Sequence, residues 1–147
     1  MGGIAILDIM HNITDIARCA AQFRSEELAP LGLKSCHASY LCVICDHPGI
    51  TQDQLARKIF INKSNVARQL VILEEDGFVT RRPAPEDKRA MQVFPTAKTL
   101  DCLPKLDGIF REWETLVCQD LTQQEQQMMS AMLDKIKIRS AQWMDGR

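Results

Sequence analysis

Apolar residues recur at helical spacing in six segments of the chain, and capping or turn residues separate these segments. In the first segment the apolar positions are three, four, three, four and three residues apart: Ile6, Ile9, Ile13, Ile16, Ala20 and Phe23. This spacing places them along one side of a helix and predicts a seam that packs against another helix. The predicted helix covers residues 4–28 and stops near Pro30 and Gly32. Its partner is either another helix of this chain or a second copy.

The middle of the chain predicts three short helices in succession. The first of these covers residues 36–46. Thr51 and Gln54 have the spacing of a capping box, which predicts the start of the next helix. Asn62 is a predicted N-cap for the fourth helix. One face of this fourth helix carries its apolar residues and the glycine that ends it: Val66, Leu70, Leu73 and Gly77.

Alternating apolar residues after Gly77 predict two short strands, at residues 78–82 and 90–94. Pro83 and Pro85 lie between them, and proline cannot donate to a strand ladder. We therefore expect a stiff connection in which the ladder stops before Pro83.

The last third of the chain predicts two long helices. Thr96 is a predicted cap for a fifth helix that reaches about residue 120, with a kink or a separate first piece at Pro104. Thr122 and Glu125 form a second capping box, which begins a sixth helix. The apolar positions of the sixth helix are Met129, Met132, Leu133, Ile136 and Trp143.

This order of elements predicts a mainly α fold with a small two- to three-stranded β-wing, in a single domain of residues 1–147. Two helices joined by a tight turn and followed by a hairpin are typical of a winged helix-turn-helix, which covers residues 36–96. Residues 4–30 and 97–144 then form the flanking helices.

The distribution of charged residues along the chain supports the interpretation as a winged helix-turn-helix. The whole chain carries a net charge of −1, but residues 57–89 contain 8 basic and 5 acidic residues, a local net charge of +3. If the protein binds a polyanion, this segment is the one expected to contact it.

The fourth helix has a polar outer stripe whose residue types suit the major groove of DNA: Ser64, Asn65, Arg68 and Gln69. Lys63 is better placed for phosphate. The predicted hairpin adds Arg81, Arg82, Lys88 and Arg89, which suit a narrow minor groove, and Asp87 is expected to pair with a neighbouring arginine and orient it. Two simpler interpretations stay open, a solvated helix face and a charged turn that prevents edge aggregation.

Other function classes have weaker support. Cys42 and Cys45 form a C-x-x-C pair inside an apolar helical pattern, so core packing is the more frequent role, and a thiol- or metal-responsive sensor is the alternative. We expect no metal, no cofactor and no enzymatic activity, because the sequence has no glycine-rich phosphate loop and no evident carboxylate pair. It also has no apolar run that could cross a bilayer and no recognisable signal peptide, so a cytoplasmic protein without a membrane partner is expected.

The stretch from Ile50 to Thr96 resembles the helix-turn-helix and wing of the MarR family of bacterial and archaeal regulators. Asp87-Lys88-Arg89 and Thr96 match the family's wing pattern, whereas Pro95 stands where leucine is usual and Thr99 where glycine is frequent. The resemblance implies a transcriptional regulator, expected to be a repressor, that binds palindromic operators as a homodimer through its first, fifth and sixth helices. A winged helix that serves protein contacts alone is the alternative.

The resemblance also implies release by a small aromatic or anionic ligand bound between the lobes. The candidate lining residues are His11, Arg18, His37, Tyr40 and Trp113, and for each of them an ordinary core or surface role is the simpler interpretation. A peroxide-sensing branch of the family uses a cysteine in the first helix, but Cys19 is out of register with that position.

Overall fold

The structure, a computed structural model, describes residues 2–147, with side chains from residue 8 onward. Ile6, the first position of the predicted seam, lies outside the described side chains. Six α-helices and three strands occur in this part of the chain, in the order α1 Gly2–Leu28, α2 His37–Asp46, β1 Ile50–Thr51, α3 Gln52–Ile59, α4 Lys63–Glu75, β2 Val79–Pro83, β3 Met91–Pro95, α5 Ala97–Val117 and α6 Gln123–Asp145. A short 3-10 turn, Ala29–Leu31, follows α1. The predicted fold class is confirmed.

The two predicted capping boxes are confirmed. The Thr51 hydroxyl accepts from the Gln54 amide at 3.2 Å, and the Gln54 side chain accepts from the Thr51 amide at 3.0 Å. Thr122 and Glu125 repeat this capping box at the start of α6, with distances of 3.1 and 3.2 Å. Each cap satisfies backbone N–H groups that a helix cannot pair by itself.

The sheet is antiparallel in the order β1–β3–β2, so β3 is central. β1 is only two residues long, and Ile50 pairs with Val93 of β3. The expectation that the hairpin ladder stops before Pro83 is wrong, because Pro83 is the last residue of β2 and pairs with Met91. β2 is an edge strand, where a missing backbone N–H can be tolerated.

The chain divides into two compact units, one ending at Phe110 and the other formed by Arg111–Arg147. The first unit contains a continuous apolar core whose largest fully buried side chains include Leu28, Tyr40, Leu41, Leu55, Leu70, Leu73, Phe78 and Leu106. α4 contributes Val66, Leu70 and Leu73 to this core. Because these three residues fix one side of α4 inward, the opposite side is left to solvent.

α5 continues as one helix through Pro104, so the predicted separate first piece is absent from the described residues. Pro104 is exposed, while Thr99 and Leu106 on either side of it are fully buried. Burial on both sides offsets the missing backbone hydrogen bond. The hydroxyl of Thr96, the predicted cap of α5, donates to the Gly77 carbonyl at 2.7 Å and so fastens the start of α5 to the turn after α4.

None of the helices in the described part of the chain is long and apolar enough to span a membrane.

Candidate nucleic-acid interface

The start of α4 is organised by Asn62. Its side-chain oxygen accepts from the Asn65 backbone amide at 2.8 Å and from the Ser64 hydroxyl at 3.0 Å. Ser64 is exposed, and the exposed Lys63 ammonium lies 3.1 Å from the Asp53 carboxylate on α3. An ion pair this open to water is weak, so Lys63 can exchange it for another anion at little cost.

Arg68 lies one turn after Ser64 on the same exposed side of α4. Within the described residues its guanidinium has no hydrogen bond, ion pair or aromatic contact. Asn65 is half-buried, so its side chain is less open than that of Ser64 or Arg68. The predicted polar stripe therefore exists, with Ser64 and Arg68 as its open members.

Gln69, one of the predicted groove-facing residues, has a partner inside the protein. It is half-buried, and its Oε1 lies 2.8 Å from Nε2 of His37, a residue of α2 that is only 1% exposed. Part of its amide is therefore committed inside the first unit. The helical period predicts the same exposure for Gln69 and Arg68. It cannot show that α2 provides a polar partner, His37, for Gln69 alone.

The tip of the wing displays cations. Lys88 and Arg89 are exposed, and so is Arg82, whose guanidinium lies 4.1 Å from the centre of the Phe94 ring. The tip is closed by hydrogen bonds from the Ala84 amide to the Ala90 carbonyl, at 2.7 Å, and from the Ala90 amide to the Asp87 carbonyl, at 2.9 Å.

Asp87 does not form the predicted ion pair with a neighbouring arginine; it contacts the backbone of the wing. Its carboxylate accepts from the backbone amide of Arg89 at 3.0 Å, and no ion pair with an arginine occurs in the part of the chain that is described. Asp87 therefore shapes the loop backbone and leaves the Arg89 guanidinium free. An aspartate commonly bonds the backbone two residues ahead in this way in tight turns.

Arg81 is the clearest correction to the predicted set. Its side chain is only 17% exposed and is held by Glu74 at 3.1 Å and by the side-chain oxygen of Gln52 at 3.0 Å. Glu74 also accepts from the Arg81 backbone amide at 2.9 Å. Arg81 thus joins α3, α4 and β2 and does not face the solvent. Sequence reasoning missed Glu74 and Gln52 as supports, although an acidic residue at the end of α4 just before a basic strand was a usable signal.

The five predicted effector residues differ widely in exposure. His11 and Arg18 are exposed on α1, Trp113 is half-buried in the second unit, and His37 and Tyr40 are buried in the first unit. The rings of His37 and Tyr40 meet edge to face at 6.3 Å. An open cavity of about 430 Å³ in the second unit is lined by none of the five, but by Arg111, Glu114, Thr115, Cys118, Gln119 and Gln126.

The C-x-x-C thiols are held in their protonated form. Burial, with smaller contributions from Asp107, Cys45 and Asp46, raises the pKa of Cys42 to about 11. Burial also raises the pKa of Cys45, with Asp46 adding to the effect. Because the thiolate is the reactive and metal-binding form, these shifts weaken the sensor alternative. No cluster of three potential metal ligands occurs among the described residues.

α3 and α4, joined by the three residues between Ile59 and Lys63 and followed by a cationic β2–β3 hairpin, define a winged helix-turn-helix. The sequence model of the MarR family matches residues 35–91. This match confirms the predicted resemblance for the winged helix-turn-helix part of the chain.

Similarity to known proteins extends over most of the chain. The uncharacterized HTH-type transcriptional regulator YybA of Bacillus subtilis (strain 168) is 29% identical over 130 residues, which are 88% of this chain and 87% of that protein. A crystal structure of MarR matches with a TM-score of 0.85 and 28% identity, over 94% of each chain. A candidate MarR family transcriptional regulator from Listeria monocytogenes, solved with a 26mer DNA, matches with a TM-score of 0.86 and 25% identity, over 90% of this chain and 89% of that one.

Proposed function

We propose that this chain is a sequence-specific DNA-binding regulator of transcription. The observation that carries the proposal is the pairing of an open polar helix face with an open cationic hairpin tip in one winged helix-turn-helix. Ser64 and Arg68 suit base edges in a major groove, and Lys63 suits a phosphate. Arg82, Lys88 and Arg89 suit the neighbouring minor groove or its phosphates. The DNA complex of the related Listeria protein supports the same use of this fold.

We further propose that the chain acts as a homodimer on a palindromic operator. α6 has no buried residue, although it carries a row of large apolar side chains that are exposed in the single chain: Met129, Met132, Leu133, Ile136 and Trp143. Ile9 and Ile16 of the α1 seam are also exposed. Apolar exposure on this scale is typical of a surface that is covered by another chain. A two-fold dimer would present two copies of α4 to two symmetric half-sites.

Nuclease protection of the DNA upstream of the protein's own gene tests this proposal. We expect two protected half-sites related by a dyad and centred about 34 Å, one turn of the duplex, apart. Arg68→Ala should weaken protection of both half-sites, while the exposed Lys105→Ala on α5 serves as a control for the removal of a positive charge. A protein that is folded and dimeric but protects no sequence would instead favour a winged helix used for protein contacts.

The finer regulatory role follows from the family resemblance. Operator binding is proposed to repress, and a small aromatic or anionic ligand is proposed to release the operator. Exposed Arg18 and His11 on α1 offer polar contacts for an anion, whereas His37 and Tyr40 would need to become accessible. Benzoate provides a simple probe: operator affinity should fall as its concentration rises, and an unchanged affinity would remove this class of effector.

A further inference from the structure

A buried histidine contacts the predicted DNA-reading helix from behind. His37, on α2, is 1% exposed, and its Nε2 lies 2.8 Å from Oε1 of Gln69 on α4. Gln69 follows directly after Arg68 and is half-buried, so the rest of its side chain can still approach a bound duplex. The contact therefore joins the core of the first unit to a candidate base-reading residue.

The other ring nitrogen determines which atom of Gln69 faces the histidine. His37 Nδ1 lies 3.2 Å from the backbone nitrogen of Lys34, which can only donate a hydrogen bond. Nδ1 must therefore accept and carries no hydrogen. In a neutral imidazole the single hydrogen is then on Nε2, which donates, so its partner on Gln69 must be the carbonyl oxygen. The backbone amide of Lys34 thus fixes the orientation of the Gln69 amide through the ring of His37.

This orientation limits what Gln69 can offer to DNA. A free glutamine can present its carbonyl oxygen, its amino group, or both, as in the two-bond contact with adenine. Because Oε1 is directed at the buried ring of His37, the Nε2 amino group, which has no intramolecular partner among the described residues, is the part of Gln69 that is left to meet a base. An amino group only donates. It suits acceptor edges such as guanine O6 and N7, adenine N7 or thymine O4, and it opposes the N4 donor of cytosine.

We propose that His37 is a positioning residue for base selection, which makes Gln69 a donor-only reader at one base pair of each half-site. The inference rests on the proposed DNA-binding function and adds a residue that never touches the DNA. His37 acts only through Gln69, so removing its ring should relax one base preference and not the binding of DNA in general.

The surroundings of His37 favour the neutral ring. Burial lowers the pKa of His37 below its usual 6.5, the nearby Lys34 lowers it further, and the Gln69 hydrogen bond and the Asp76 carboxylate partly oppose this. Protonation would place a second N–H on Nδ1, directly against the Lys34 amide donor. Acid should therefore disturb the same contact that a mutation at His37 removes.

The test is selection of bound duplexes from a randomised library by the full-length protein, followed by sequencing. Gln69→Ala should change preference at one base pair of each half-site, by about tenfold for a typical amide contact. His37→Phe should relax the preference at that same pair. The double variant should match Gln69→Ala alone, because His37 has nothing left to position.

Two controls separate positioning from structural damage. Ile44→Val alters another fully buried side chain of α2 and should leave every base preference unchanged. If His37→Phe does not fold, His37→Leu replaces it, because leucine also cannot donate to Gln69, and the preference should relax at the same base pair.

Two results would overturn the inference. In the first, Gln69→Ala changes no base preference in a protein that still selects a dyad-symmetric site. In the second, His37→Phe weakens binding to all duplexes equally. If the wild-type protein selects no sequence at all, the proposed function itself fails, which is a distinguishable outcome.

Discussion

α4 and α6 are both helices opened by a capping side chain, but they use their apolar residues in opposite ways. α4 buries Val66, Leu70 and Leu73 in the core of the first unit and turns polar side chains outward. α6 buries none of its residues and leaves Met132 and Trp143 more than half exposed. Helical spacing thus reveals an apolar face, but it does not reveal whether the partner lies in the same chain. The apolar face of α4 is covered by its own chain, and we expect the apolar face of α6 to be covered by a second copy.

The largest expected effect is at α6. Met132→Glu would place a charge on the proposed dimer face, where burial without a partner costs about 3–5 kcal/mol. The dissociation constant of the dimer should rise by at least about a hundredfold. Sedimentation equilibrium measures this change directly. Gln127→Glu, at an exposed position of the same helix, adds the same charge as a control. If Met132→Glu dimerises as tightly as the wild type, α6 does not form the interface and the comparison with α4 breaks.

A matched pair of leucines sharpens the comparison. Leu70 on α4 is fully buried, so Leu70→Ala should lower the free energy of unfolding by about 2–5 kcal/mol. Leu133 on α6 is 43% exposed in the single chain, so Leu133→Ala should act mainly through dimerisation. Urea unfolding at several protein concentrations distinguishes the two, because only the second effect should depend on concentration. Equal, concentration-independent losses of stability would contradict the different roles assigned to the two helices.

Arg81 and Arg82 provide a similar contrast within one strand. Arg81→Ala removes the hydrogen bonds to Glu74 and Gln52 and should cost about 1–2 kcal/mol of stability, since Glu74 stays partly in water. Arg82→Ala should leave stability within about 0.5 kcal/mol and weaken DNA binding instead. Thermal unfolding and DNA titration of both variants measure the two effects. The assignment of Arg81 to the interior fails if the two variants behave alike.

We expect Arg68 to contribute to sequence specificity and Arg89 to contribute to affinity for DNA in general. If Arg68 makes a bidentate base contact, Arg68→Ala should cost about 1–3 kcal/mol at one base pair and alter sequence preference. Arg89→Ala should weaken binding to all sequences more evenly. Competition titrations with operator and unrelated duplexes separate the two patterns. Unchanged affinity of Arg89→Ala would remove the tip of the wing from the interface.

The smallest effect is the dependence of stability on pH. The pKa of His37 is lowered in the folded protein, so between that pKa and about 6.5 the unfolded chain binds a proton that the folded chain does not. The free energy of unfolding should therefore fall as pH decreases through this window, by at most about 1.4 kcal/mol per pH unit, and this contribution should level off below it. Urea titrations across the window measure the slope, and His37→Gln should reduce it. An unchanged slope in that variant would assign the effect to other groups.

Local chemistry makes much of the fold predictable from the sequence. The capping boxes at Thr51 and Thr122 depend on residues three positions apart, so the sequence alone contains the whole interaction. β1 escapes prediction, because a two-residue strand has no period and exists only through its pairing with β3. The sequence also leaves open whether α5 continues through Pro104 or begins with a separate piece, since this depends on the burial of Thr99 and Leu106.

The site is less predictable because long polar side chains find partners that are distant in sequence. Arg81 and Arg82 are alike in type and adjacent, yet only Arg81 meets Gln52, which lies 29 residues away. Gln69 meets His37, 32 residues away. Helical period predicts on which side of α4 a residue starts, whereas these contacts depend on which elements pack behind it. The predicted exposure is observed for Arg68, Lys88 and Arg89. Among the described residues, no side chain of the first unit binds their charged groups.

The salt dependence of binding to the protein's own promoter tests the central claim most directly. If α4 and the wing contact the DNA backbone, the logarithm of affinity should fall linearly with the logarithm of salt concentration. Replacing Lys88 and Arg89 with alanine should then make the slope shallower by about one for each phosphate that the wing no longer binds. Lys105→Ala should leave the slope as it is. An affinity that does not weaken as salt rises, or a slope that the wing replacements leave unchanged, would contradict the account.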